Sequence, residues 1–214
     1  TFEARACQHD RIVITGVGDK GFCAGADVSG DLTATPELAE TVNRSLLKTQ
    51  MFPKPIIAAV NGDCVAGGVE LMLASDIRVA ATHARFGLPE VRLSIYPFGG
   101  ATVKLVRQIG YVHAMKLLLG GNLIDAEEAA RIDLVNEVMP SDQLMDWAVN
   151  MAETIAANSP SAVQAVKRKI STEIAEHALT QEGLDQELGD IVRDSPHFKE
   201  GVAAFLEKRK PNYE

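Results

Sequence analysis

Cysteine is scarce in this chain: Cys7, Cys23 and Cys64 are odd in number and never spaced as C-x-x-C. That excludes a disulfide framework and a thiolate metal site, and it fits a reducing compartment. The five histidines are scattered, with no H-E-x-x-H, so no metal is expected. No apolar run reaches the roughly 18 residues that a membrane-spanning helix needs, so no membrane partner is expected. Positive charge is in deficit. Against 29 Asp and Glu stand 21 Lys and Arg, a formal net charge of −8, which argues against nucleic acid and anionic membrane surfaces as partners. The opening residues show no charged-then-apolar leader, so the expected location is cytoplasmic. What is present is a 214-residue chain, 46% apolar, able to bury a large core.

The apolar pattern alternates between short runs and helical stripes. The first ten residues read as the tail of a helix that runs into a strand, RIVIT at 11–15, followed by a glycine-rich loop over 16–30. Thr35-Pro36 starts a helix with proline in its first turn, and Pro53 and Pro55 stop it. IIAAV at 56–60 is a wholly apolar strand candidate. A helix over 67–75, strands at 77–81 and 85–88, helices over 99–109, 111–119 and 125–132 and a last short strand at 134–138 follow. From Ser141 onward the pattern is helical, with Ser159-Pro160 as a cap and first turn. Strands alternating with helices predict an α/β core over 1–140, and 141–214 reads as a helical appendage.

Gly16, Gly18 and Gly21 spell G-x-G-x-x-G directly after a strand. A dinucleotide-binding turn needs a helix next and an acid about 20 residues on. Here Gly25 and Gly30 break the following segment, and the later region is a helix start. A tight loop is the better reading, and a nicotinamide oxidoreductase is the weakest functional one.

Three segments carry chemistry. In NGDCVAGGVEL, at 61–71, a strand gives way to a helix at Gly67-Gly68, with Glu70 in its first turn. The first N–H groups of a helix have no internal partner, and the dipole makes that end positive. The junction can therefore offer an N–H near Gly67 to a developing oxyanion, with a carboxylate beside it. In GFCAGAD, at 21–27, small residues let backbone approach a ligand closely. In FGLPE, at 86–90, Pro89 stiffens the turn that presents Glu90. Cys23 and Cys64 read as small apolar residues, and Asp27 and Asp76 as partners for backbone N–H.

These stretches, with SDIRVA, RLSIYPFGG, DAEEAARIDLVNEV and ANSPSAVQAVK, resemble the enoyl-CoA hydratase/isomerase (crotonase) family over nearly the whole chain. The resemblance implies a spiral of ββα turns whose C-terminal helices assemble a trimer or a dimer of trimers. A further β-hairpin and helix would precede the first residue. The N–H groups of Ala24 and Gly67 would form the oxyanion hole, with Ala26, Asp27 and Phe98 also lining the substrate. Glu70 and Glu90 would take the two acid/base positions for syn addition of water to a 2-enoyl-CoA. No cofactor is implied, since coenzyme A is part of the substrate. Ser94 and Phe98 stand where hydratases usually carry glycine, and a ring at Phe98 would narrow the pocket against long acyl chains. Lys208-Arg209-Lys210 would approach the CoA phosphates. The alternatives are an enoyl-CoA isomerase or another acyl-CoA lyase or hydrolase of this type and, from a different class, a catalytically silent acyl-CoA binding subunit.

Overall fold

The computed structural model describes residues 3–6, 12–27 and 35–214. Cys7, His9, Arg11 and the stretch after Asp27 to residue 34 lie outside the described residues, along with what the sequence suggested for them.

Two sheets carry the fold. The five-stranded sheet has the order β1 (Glu3–Ala6), β2 (Ile12–Thr15), β4 (Ile56–Val60), β6 (Ile77–Ala81), β9 (Glu137–Met139). β1 lies antiparallel to β2 and the remaining neighbours are parallel. The four-stranded sheet has the order β3 (Gly21–Cys23), β5 (Asp63–Val65), β7 (Arg85–Gly87), β8 (Ile124–Asp125). Its first three strands are parallel, and β8 closes it antiparallel. The chain visits the sheets in alternation. β2 and β3 lead to helix α1 (Pro36–Ser45), and β4 and β5 lead to α2 (Gly67–Met72). β6 and β7 lead to a 3-10 helix (Pro89–Leu93) and α3 (Ala101–Ile109). Each turn adds one strand to each sheet and one helical segment, which is a ββα spiral.

The fully buried β4 sends alternate side chains to opposite faces, which explains the layering. Ala58 and Val60 face a core that includes Val69, Met72, Phe86, Leu88 and Leu105. Ile57 and Ala59 face the opposite layer, where Leu144, Ala148 and Ala152 of α6 (Ser141–Ala156) cover the sheet. α4 (Tyr111–Gly120) and α5 (Ala126–Arg131) complete the first core. The 35-residue α7 (Pro160–Asp194) and α8 (Pro196–Leu206) end the chain.

Several elements differ from the sequence reading. Residues 3–6 form a strand, not the tail of a helix. Antiparallel pairing with β2 fixes them, a long-range cause that no local pattern carries. β3, β5 and β8 span three, three and two residues, too short to show alternation. The last strand begins at Glu137, because Asn136 N–H instead donates to Arg78 O while Asn136 Oδ1 accepts from Arg78 N–H. The stripe Leu144, Trp147, Met151 and Ile155 packs on the sheet, so the first of the C-terminal helices belongs to the core layer.

Candidate active site

Local chemistry fixes the two glycine loops. The G-x-G-x-x-G segment runs into β3 rather than a helix, and the Asn61 side chain holds it through Gly16 N, Gly16 O and Gly18 O. The nucleotide-turn geometry is therefore absent from this segment. β3 and β5 run parallel and end together, at Cys23 and Val65. The backbone leaving them converges: a Cβ on Gly67 would lie 3.3 Å from Gly25 Cα, and one on Gly68 would lie 2.0 Å from Cys23 O. At Gly68 only glycine permits that approach, and at Gly67 it avoids a tight contact.

Ala66 makes the turn. It sits at φ 54°, ψ −126°, a conformation that costs a residue with a Cβ roughly 1–3 kcal/mol. Its N–H donates to Gly87 O at 2.9 Å, and its carbonyl accepts from Val69 N and Glu70 N. The surrounding bonds hold the strain and start α2 at Gly67. Ala24 and Gly67 thus stand at the same end of adjacent strands, with Ala26 and Asp27 exposed just beyond.

Glu70 is buried in the first turn of α2. Its Oε1 accepts from Ala101 N–H at 3.1 Å, and Gly99 N–H donates to the same carboxylate. Burial raises the acid to about 7, against the pull of those N–H groups and of the Lys104 and Lys48 ammoniums. Glu90 follows Pro89 in the 3-10 helix and is also buried. Burial, then the Glu70 charge, raises it to about 7, and its Oε2 has no hydrogen-bond partner among the described residues. Ser94 ends that helix at φ 51°, ψ 46°, a left-handed position that glycine would fill without strain.

A cavity of about 330 Å³ opens beside Ala26 and Asp27, walled by α1, by Ser94 to Phe98 and by α7. The tip of the Phe98 ring presses on α7, where a Cβ on Gly189 would fall 1.9 Å from it. Tyr96 stacks edge-on against Phe98 at 5.3 Å, and the Arg193 guanidinium lies 5.7 Å from the Phe98 ring centre. A larger cavity, about 920 Å³, lies between α7 and the end of α1, away from the two glutamates. Arg209, by contrast, is held by Glu200 and Glu207.

Sequence reasoning missed a buried charge network behind the site. Lys48 Nζ lies 2.8 Å from both Glu182 Oε2 and Asp185 Oδ2 on α7, with its side chain fully buried. Tyr96 O–H donates to Asp185 Oδ1 at 2.7 Å, and Asn43 Nδ2 donates to Glu182 Oε1 at 2.8 Å. Lys104 Nζ donates to the carbonyls of Leu46 and Leu47. One signal was readable. Ala101, Lys104, Leu105 and Gln108 share one helical face, and a lysine among apolar residues there marks a buried charge.

The enoyl-CoA hydratase/isomerase family model matches residues 5–214. The chain belongs to that family. It is 40% identical over 209 residues to enoyl-CoA hydratase EchA19 of Mycobacterium tuberculosis, covering 94% of this chain and 78% of the relative. It is 41% identical over 209 residues to the 2,3-dehydroadipyl-CoA hydratase of Escherichia coli, covering 94% and 79%. The fold matches the crystal structure of a carnitinyl-CoA hydratase from Mycobacterium avium with a TM-score of 0.86 at 29% identity. That match spans 100% of this chain and 98% of the other. The ββα spiral is therefore the α/β crotonase-like fold.

Gly99 packs directly against the Glu70 carboxylate. A Cβ there would fall 2.2 Å from Glu70 Oε2 and 2.3 Å from Leu46 Cδ1. Gly99→Ala is expected to displace the Glu70 carboxylate and to lower kcat at least 10²-fold, the scale of losing an acid or base. Steady-state kinetics of the folded variant check it. A rate within threefold of wild type would contradict the packing.

Proposed function

We propose that the protein hydrates 2-enoyl-CoA thioesters by syn addition of water. The N–H groups of Ala24 and Gly67 hold the thioester carbonyl oxygen, which makes C3 electrophilic and stabilises the enolate. Glu70, ionised, takes a proton from water as its oxygen bonds to C3. Glu90, protonated, delivers its proton to C2. The two carboxyls then exchange one proton to restore the starting state. The observation that carries this reading is the pair itself: two buried carboxylates, Glu70 raising Glu90, beside a glycine junction, with Glu90 Oε2 unpartnered among the described residues. Coenzyme A enters as part of the substrate, so the reading needs no separate cofactor. The small cavity against Tyr96 and Phe98 supports a compact acyl group. Loss of enoyl-thioester absorbance with crotonyl-CoA tests the activity, and binding without turnover would contradict it.

The pH dependence follows. Below the raised values both acids are protonated and no base remains, whereas above them both are ionised and no acid remains. The pair titrates as a unit. A plot of kcat/KM against pH is therefore expected to be bell-shaped about neutrality, since both groups sit at about 7. Full activity persisting to pH 5 would contradict the assignment.

Self-association belongs to the same reading. Val166, Ile170 and Ile191 on α7 and Phe205 and Leu206 on α8 are exposed apolar residues, supporting a trimer or a dimer of trimers. Light scattering at micromolar concentration is expected to give three or six times the chain mass. A monomeric mass would contradict it. Among the described residues no helix is long and apolar enough to cross a membrane.

A further inference from the structure

Two buried acids sharing one proton serve hydration only if the proton sits on the correct one. Their surroundings are unequal. Glu70 is favoured as an anion by the N–H groups of Ala101 and Gly99, whereas Glu90 has only its own N–H, and its Oε2 has no partner among the described residues. Lys104 and Lys48 both act on Glu70, and only the Glu70 charge acts on Glu90. The two lysines are buried and pinned. Lys104 reaches the carbonyls that end the first turn-and-helix unit, Leu47 O at 2.7 Å and Leu46 O at 3.2 Å. Lys48 is locked between Glu182 and Asp185. The backbone of Gly100, whose neighbours Gly99 and Ala101 donate to Glu70, rests on both side chains. A Cβ there would lie 3.1 Å from Lys48 Cγ and 3.6 Å from Lys104 Cε.

We propose that Lys104 is a positioning residue that keeps Glu70 ionised and so places the shared proton on Glu90. The packing of both lysines against the Gly99–Ala101 backbone that holds Glu70 is the geometric basis, and its use in catalysis rests on the hydratase reading. The charged and titratable groups that act on this corner pull in both directions. From the 3-10 helix, Glu90 disfavours a second negative charge. From the segment before α3, Tyr96 stays a neutral phenol, because burial and its bond to Asp185 both raise it. From α7, Asp185 and Glu182 share the single Lys48 ammonium, so the Lys48 charge is already taken up. From β6, the positive charge of Arg78, like that of Lys48, opposes the Lys104 ammonium, and Glu70 favours it. Burial brings Lys104 down to about 8, with Glu70 opposing that fall, so the ammonium persists at neutral pH.

Coupling between two sites is reciprocal: if Lys104 lowers Glu70, Glu70 raises Lys104 by the same amount. The test therefore has two arms. In the first, lysine labelled with ¹³C at Cε is titrated by NMR in wild type and in Glu70→Gln, with Lys104→Arg used to assign the resonance. Lys104 is expected to titrate about one pH unit lower in Glu70→Gln, the scale of one lost opposite charge. An unchanged midpoint overturns the proposal. In the second arm, Lys104→Gln keeps a donor for the Leu46 and Leu47 carbonyls but loses the charge, and Lys104→Arg keeps both. The acid limb of kcat/KM is expected to move up by about one pH unit in the Gln variant and to stay in place in the Arg variant. A limb that does not move in Lys104→Gln overturns the proposal, whatever the fall in rate. Should that variant fail to fold, the NMR arm decides alone. That arm also reads the coupling if crotonyl-CoA is not hydrated, which separates failure of this inference from failure of the hydratase reading.

Discussion

Glu70→Gln and Glu90→Gln are each expected to lower kcat for crotonyl-CoA hydration by about 10²–10⁴-fold, the usual cost of losing a general acid or base. The amide keeps the size of the carboxyl, so the cavity and the glycine loops are undisturbed. Glu70→Gln removes the group that accepts the water proton. Glu90→Gln removes the group that gives a proton to C2. Because the two act on one addition, the double variant should be little worse than either single one. A single variant that retained a tenth of the wild-type rate would remove its residue from the mechanism.

The same substitution at Glu90 has a stability consequence of opposite sign. The native value of Glu90, about 7, lies above the ordinary 4.5, so the folded state binds that proton more tightly than the unfolded chain. The resulting stabilisation is fully present below pH 4.5 and is lost as pH rises through 7. Gln does not titrate and escapes that loss. Glu90→Gln is therefore expected to melt higher than wild type well above pH 7, with the difference vanishing below pH 4.5. Calorimetry at several pH values checks it.

Lys48→Met is expected to destabilise the fold by about 3–5 kcal/mol, since it leaves Asp185 buried and Glu182 half-buried without their cation. For a chain of this size that is a fall in Tm of about 10 °C. The loss should reach function as well. Lys48 ties the residues after α1 to α7, and through Asp185 it also orients Tyr96 in the cavity wall. Replacing the cation frees three elements at once. A melting point within about 2 °C of wild type would show that the pair contributes no net stability.

What was legible in the sequence was local. Glu70 lies three residues after the glycine that opens its helix, and Glu90 directly follows a proline, so a short window holds each residue together with the backbone that aims it. The unbroken apolar run of β4 and the helical period of the α6 stripe were readable because both survive in the sequence. What was hidden depends on distant partners. Lys48 meets residues more than 130 positions away on α7, and its buried charge has no local signature. The strand at residues 3–6 exists through pairing with β2 rather than through propensity. Phe98 was expected to narrow the pocket; it lines the cavity, and its ring tip abuts the α7 backbone at Gly189, a contact that only the packed fold defines.

The most direct test of the central claim, that two glutamates add one water to one face of an enoyl thioester, is hydration of crotonyl-CoA in D₂O with NMR analysis of the product. The account predicts 3-hydroxybutyryl-CoA carrying one deuterium at C2, on the same face as the new hydroxyl. A product with the double bond moved and deuterium at C4, or deuterium on the face opposite the hydroxyl, would contradict it.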